Sequence, residues 1–238
     1  MNILLTNDDG FDSRGIRILK KHLDKYGTVV IVAPDSPMSA KSTSITIGRR
    51  LHLNKEDKNI FSCDGTPADC VSMGISLLDI KFDLVVSGCN NGLNISYDTI
   101  YSGTIGACLQ ALMYRISAVA FSTPFDQFDL VESHFPEVFD YILQKNIISN
   151  QYLLNVNFPD GNEIKGIELG ELYYRNDDQL MKQDGDGYLA YRNMEEDFKK
   201  VPDSDCYHVT HGIVSIVPLG RTYFHPALLE DLKAKIAK

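Results

Sequence analysis

The chain has 238 residues, and its 23 Lys and Arg against 32 Asp and Glu give a formal charge of −9. This length suits one large domain able to bury its core without staples, and the 44% hydrophobic and 23% charged fractions exclude wholesale disorder. The acidic balance argues against a binder of long nucleic acid, which needs a basic footprint, so an anionic substrate would require a local device to overcome repulsion.

The opening MNILLTNDDG has no basic n-region, and no apolar run reaches bilayer length, so the expectation is a cytoplasmic protein without a membrane partner. Asn2–Thr6 is a short apolar run, as a buried parallel strand is. Ser13 is placed to cap a helix whose Ile16, Leu19 and Leu23 share a face, with Gly27 as its stop. Thr28–Ala33 is β-branched and continuous, a second buried strand ended by Pro34. A Ser-rich loop runs from Asp35 to Ser44, and Ile45–Leu53 reads as extended. Thr66-Pro67-Ala68-Asp69 has the spacing of a capping box with proline at the first helical position, and Val71, Ile75 and Leu78 form the buried face that follows. Asp83–Ser87 is the next strand, followed by a Gly/Asn-rich loop from Gly88 to about Ser102. A helix then carries Ile105, Cys108, Leu109, Leu112 and Ile116; after it come a strand at Ala118–Ser122, a helix at Val131–Leu143 and a strand at Leu153–Phe158. This alternation predicts an α/β fold: a three-layer α/β/α, Rossmann-like, mostly parallel sheet.

After Pro159 the texture changes to Gly, Asp and Asn, with strand-like pieces at Ile167–Leu172, Tyr188–Tyr191 and Ile213–Val217 and an amphipathic stretch at Pro226–Ala237. We read residues 1–238 as one domain, with a core over 1–160 and a hairpin and C-terminal helix extension over 161–238. A hairpin without its own core packs on another subunit, so a homo-oligomer is expected. The five cysteines, Cys63, Cys70, Cys89, Cys108 and Cys206, have no CxxC spacing and read as buried thiols.

Ligands of open parallel sheets bind at the carboxyl ends of the strands. The first strand ends in Asn7-Asp8-Asp9-Gly10. Adjacent carboxylates repel unless a cation sits between them, which suits a hard ion such as Mg²⁺ or Mn²⁺; equally, Asp and Gly favour turns. The second loop, Asp35 to Ser42, offers hydroxyls and Lys41, or is a solvated turn. The third offers Asn90, Asn91 and Asn94, or an ordinary Asn-Gly turn. Ser102-Gly103-Thr104 lies directly before a helix, where free N–H groups and the dipole suit phosphate, although Ser102 also serves as a plain N-cap. All four fall at one sheet edge. No Walker A, GxGxxG or GxSxG motif is present. His208 and His211 lie in a strand-like region, on opposite faces, and His225 has no assigned role.

The ordered blocks ILLTNDDG, APDSPMSAKSTSIT, DGTPADCV, DLVVSGCNNGLN, YSGTIGA, LNVNFP and GIVSIVPL resemble the SurE family, the metal-dependent nucleotidases also known as stationary-phase survival proteins. The resemblance implies metal ligands at Asp8, Asp9, Ser39 and Asn90, and a phosphate-contacting turn at Ser102, Gly103 and Thr104. It implies hydrolysis of nucleoside 5′-monophosphates, with 3′-monophosphates and short polyphosphate as further substrates. It implies one Mg²⁺ or Mn²⁺ per subunit and a dimer or tetramer. Asp8, Asp9 and Asn90 would carry the chemistry, with Asn7 and the N–H groups near Ser102 and Thr104 on the phosphoryl oxygens. Water activated by the metal is one nucleophile; Asp8 or Asp9 attacking phosphorus is the other. Departures from the family pattern are Cys89 in the SG-x-N motif, the Ser-rich second loop with Ser42 and Ser44 near Ser39, and the Asn94–Asp98 loop without glycine. The alternative, a receiver-like or other non-catalytic metal- or phosphate-binding module, lacks the required Lys after the Ala118–Ser122 strand; a D-x-D phosphatase does not fit adjacent aspartates.

Overall fold

The computed structural model describes residues 1–173, 178–193 and 201–220. The apolar runs at the N-terminus become β1 (Asn2–Thr6) and β2 (Thr28–Pro34), which pair in parallel. Between them lies α1 (Arg14–Leu23), whose N-cap Ser13 accepts a hydrogen bond from Ile16 N. Ile16, Leu19 and Leu23 are fully buried, as their spacing requires. The helix is capped by Asp24, one turn before the expected stop at Gly27.

The expected extended stretch over Ile45–Leu53 is largely irregular. Some of its polar groups bind side chains: Thr46 N and Oγ1 donate to the Asp69 carboxylate, and His52 N donates to Asp64. Regular strand begins at β3 (Leu53–Asp57), which forms an antiparallel edge pair with β4 (Ile60–Cys63). Helix α2 (Pro67–Leu77) starts with the full Thr66/Asp69 capping box. Val71 is fully buried, while Ile75 and Leu78 pack partly exposed at the margin of the same cluster.

Strand β5 (Leu84–Asn91) runs four residues beyond Ser87, because Asn90 and Asn91 still pair with Ser122 and Thr123 of β6 (Ser117–Thr123). A short α3 (Asp98–Tyr101) precedes α4 (Gly103–Met113), whose N-cap is Ser102; Ile116 lies past its end. Helix α5 (Phe128–Gln144) and β7 (Tyr152–Asn157) complete the parallel portion. Then come β8 (Gly166–Leu169), the antiparallel hairpin of β9 (Asp178–Asp184) and β10 (Gly187–Asn193), α6 (Asp205–Thr210) and β11 (Ile213–Gly220).

The main sheet has nine strands in the order β3-β4-β2-β1-β5-β6-β7-β11-β8. β8 and β11 therefore extend it, and β9 and β10 form a separate two-stranded sheet. Alternating β1 residues feed two cores: Ile3 and Leu5 pack with α1 and α5, while Leu4 packs with α2 and α4. This is the three-layer arrangement expected from the alternation. All five cysteines are free and buried. Among the described residues no helix is long and apolar enough to cross a membrane.

His208 and His211 are not in a strand. His208 lies in α6, which Ser204 caps by accepting from Tyr207 N, and His211 is its C-cap, with its ring stacked on Tyr207 at 3.9 Å. The Ser-x-x-x hydroxyl cap favours a helix start over extension there. Pro226–Ala237 and His225 lie outside the described residues.

Candidate active site

The chain passes from β1 to β2 on one side of β1 and returns to β5 on the other. A crevice opens where the strand order reverses, at the carboxyl ends of β1 and β5. A cavity of about 430 Å³ lies there, lined by Asp8, Asp9, Ser39, Asn90, Asn94, Ser102 and neighbours including Asp98, Tyr101 and Phe125. A neighbouring cavity of about 310 Å³, lined by Ile100, Ile105, Leu109 and Leu219 among others, has no carboxylate in its wall.

Asp8 is buried, and Thr104 Oγ1 donates to its Oδ1 at 2.5 Å. The β1 loop is further tied to the second loop by Met38 N donating to Asp8 O at 2.7 Å. Burial pushes the Asp8 carboxyl up to about 6; the Thr104 hydrogen bond pulls it down, and the adjacent Asp9 charge pushes it up. Burial also raises Asp9, against the pull of Asn91 N, which donates to Asp9 Oδ2 at 3.1 Å. Two adjacent carboxylates, both disfavoured as anions by burial, form a poor resting arrangement without a cation and a good one with it.

The hydroxyls of the second loop sort themselves. Ser42 Oγ donates to Ile100 O and Ser44 Oγ donates to Lys41 O, so both are engaged with the backbone. Ser39 is exposed and lines the cavity. The loop sits against α4 because residue 106 is glycine: a Cβ there would lie 2.0 Å from Ser42 O. Gly103 does the same for β1, since its Cβ would lie 3.0 Å from Asp8 Cβ and Oδ2. Asn90 donates through Nδ2 to Gly92 O at 2.7 Å, which leaves its amide oxygen as the available donor atom to a cation.

Two expected contacts have other work. Asn7 is fully buried, donates to Gly10 O and Ser13 Oγ, and accepts from Gly10 N; it shapes the loop and does not line the cavity. Thr104 is fully buried against Asp8 and also does not line the cavity. Ser102 does line it, while its Oγ accepts from Ile105 N.

Sequence reasoning missed several residues. Phe125, 77% exposed, lies over Gly92 at the rim, and Asp98 adds a third carboxylate to the lining. The loop carrying Asn94 is held by a buried amide network. Asn94 N donates to Asn157 Oδ1 at 2.9 Å, Asn155 Nδ2 donates to Asn94 O at 2.8 Å, and Asn94 Nδ2 donates to Ser122 Oγ at 2.8 Å. The signal was two asparagines within the otherwise apolar LLNVNF strand, where unpaired amides would be costly.

A cation fits this donor set. Two carboxylates, an amide oxygen and a hydroxyl are all hard oxygen donors, matched to Mg²⁺ or Mn²⁺ and not to soft, thiol-seeking ions.

Residues 3–179 match the family described as Survival protein SurE. The chain is 35% identical to the 5′-nucleotidase SurE of Clostridium botulinum (strain Alaska E43 / Type E3) over 98% of each chain. It is 37% identical to the 5′-nucleotidase SurE of Flavobacterium psychrophilum over 91% of this chain and 90% of that one. The crystal structure of the SurE protein from Aquifex aeolicus superimposes with a TM-score of 0.87 at 31% identity, covering 98% of this chain and 99% of that one.

Proposed function

This chain belongs to the SurE family, and from that membership we propose that it is a metal-dependent phosphomonoesterase releasing phosphate from nucleoside 5′-monophosphates. The observation that carries the site assignment is the convergence of Asp8 and Asp9 from the loop after β1, Ser39 from the loop after β2, and Asn90 from the end of β5 on one cavity. These four residues would hold the cation, Mg²⁺ or Mn²⁺. When bound, it supplies Lewis-acid charge toward the phosphoryl group.

The chain's own residues do the rest. Asp8 and Asp9 are each tied at one oxygen, to Thr104 and to Asn91 N, an arrangement that holds a carboxylate still. Water is therefore proposed as the nucleophile, and recovery of a phospho-aspartate after turnover would refute that part. The N-terminal turn of α4, beginning Ser102-Gly103-Thr104, presents its positive end beside Asp8 and favours the equatorial phosphoryl oxygens. Asn7 and Thr104 act as positioning residues. The exposed Phe125 and Tyr101 rings at the rim offer apolar surface to a nucleoside.

3′-Monophosphates and short polyphosphate are proposed as further substrates of the same site. Among the described residues the β9–β10 hairpin pairs only with itself, and it exposes Met181, Tyr188 and Leu189, which supports a homo-oligomer, dimer or tetramer, with one cation per subunit. A single functional domain in the cytoplasm is the accompanying reading. The decisive experiment is phosphate release from AMP with and without EDTA, for the wild type and Asp8→Asn. Metal-dependent release lost in Asp8→Asn is expected; EDTA-resistant release would overturn the proposal.

A further inference from the structure

Away from the cavity, Glu168 of β8, Asp203 of the loop before α6, and His208 of α6 bring one ligand atom each to within 4.8 Å of one another. None of the three lines the active-site cavity. His208 is only 1% exposed, and neither ring nitrogen has a hydrogen-bond partner. Leaving such a group unsatisfied is destabilising unless a ligand completes it. Glu168 Oε2 lies 3.5 Å from its Nε2. That separation suits two ligands of one tetrahedral ion, which stand roughly 3.4 Å apart when each lies about 2.1 Å from the metal. Glu168 and Asp203 are exposed and form no ion pair with a Lys or Arg among the described residues.

The backbone holds the three in place. Glu171 N donates to Asp203 O, Asp205 N donates to Glu171 O, and Gly170 lies so close that a Cβ would meet the His208 ring at 2.8 Å. Burial disfavours the protonated imidazole, opposed by the Glu168, Asp203 and Asp205 charges, and the neutral ring is the form a metal binds.

We propose that Glu168, Asp203 and His208 form a second metal site, selective for a zinc-class divalent ion, that clamps α6 to β8. Imidazole nitrogen with two carboxylates suits Zn²⁺, Co²⁺ or Ni²⁺ and disfavours Mg²⁺, which prefers an all-oxygen shell. Two negative charges balance the ion. The clamp has a route to the active-site loop, because Asp205 Oδ2 accepts from Ser96 N at 2.6 Å, two residues from Asn94.

The test is equilibrium dialysis of the full chain against Zn²⁺ in excess Mg²⁺, with metal analysis and thermal melts. Variants are Glu168→Gln/Asp203→Asn, Asp8→Asn/Asp9→Asn, and all four together. The Asp8→Asn/Asp9→Asn protein is expected to retain one Zn²⁺ per chain and a Zn²⁺-dependent rise in Tm. Adding Glu168→Gln/Asp203→Asn should remove both. Glu168 and Asp203 are at the surface, so the comparison of their double variant with wild type stands even if the Asp8→Asn/Asp9→Asn protein does not fold. Glu168→Gln/Asp203→Asn should cost one bound Zn²⁺ and weaken binding at least tenfold, while Mg²⁺-supported phosphatase activity persists. Unchanged Zn²⁺ stoichiometry and affinity in that variant would overturn the site. Failure of Asp8 and Asp9 to bind metal would leave this result untouched.

Discussion

Thr104 Oγ1 stands 2.5 Å from Asp8 Oδ1, and both side chains are buried. This bond joins the first turn of α4 to the loop after β1, so it fixes the carboxylate on which the proposed cation site depends. Thr104→Val keeps the shape and removes the donor. The expected result is roughly 10–100-fold weaker Mn²⁺ binding, the usual cost of losing a partner that orients a metal ligand. Thr104→Ser should restore most of it. Calorimetric titration of Mn²⁺ reads the effect directly, and wild-type affinity in Thr104→Val would remove Thr104 from the positioning role.

The same carboxylate sets a pH dependence. In the metal-free fold Asp8 ionises near 6 instead of 3.8. A proton therefore competes with the cation below pH 6, and apparent Mn²⁺ affinity should fall about tenfold per pH unit from there. For stability the sign is opposite. The folded state holds this proton more tightly than the unfolded chain, so metal-free stability is lost as pH rises from about 4 to 6. The loss amounts to about 3 kcal/mol, because every tenfold gain in proton affinity on folding is worth about 1.4 kcal/mol. Metal-free Asp8→Asn should thus unfold at higher urea than metal-free wild type at pH 7, and lower urea at pH 7 would contradict the burial cost.

Gly106 tests how the second loop reaches the site. A Cβ there meets Ser42 O at 2.0 Å, and backbone cannot swing aside as a side chain can. Gly106→Ala should displace the loop bearing Ser39 and lower kcat/KM more than tenfold while far-ultraviolet circular dichroism stays native. Gly220→Ala, where nothing lies within 4 Å, is the control and should be silent. Equal activity in both would show that the close approach has no bearing on catalysis.

Much of the candidate site is legible in the sequence because its proposed donors sit at strand ends, and strand ends are marked by β-branched runs giving way to Asp, Asn, Ser and Gly. The β1 loop and the α4 cap follow from local rules alone: Ser13, Thr66 and Ser102 each cap the helix expected of them. What local rules could not reveal is long-range. β5 runs on through Asn91 because β6 offers partners 32 residues away, at Ser122 and Thr123. Asn7 and Thr104 are polar residues beside a cavity, yet both point into the protein, since each is taken by a nearer partner. α6 reads as strand because six residues are too few to show a helical period; only its Ser204 cap marks it.

The amide network behind the site has a measurable cost of its own. Asn157 Oδ1 accepts the buried Asn94 N, and its Nδ2 donates to Asn94 O at 3.1 Å. Asn157→Ala strands that N–H, which should destabilise by about 1–3 kcal/mol. Because Asn94 lines the cavity, KM for AMP should rise as well, and a variant with normal stability and normal KM would show the network to be incidental.

His22 supplies a prediction remote from the site. It lies on α1, buried, with both ring nitrogens lacking a hydrogen-bond partner and its ring 5.8 Å from that of Phe135. Burial holds its pKa below 6.5, with Glu132 opposing. The unfolded chain therefore takes up the proton first as pH falls, and the stability present above pH 6.5 is lost on the way down through the folded value. His22→Leu removes the titration and two unsatisfied atoms while keeping apolar contact with Phe135. At pH 7 it should be at least as stable as wild type. Between pH 7 and 5 wild type should lose stability relative to the variant, and because Asp8 titrates in both, its opposing contribution cancels in the difference. Urea midpoints of the two metal-free proteins at pH 7 and pH 5 measure this. Parallel changes in both would mean that His22 finds a partner or a path to water that offsets its burial.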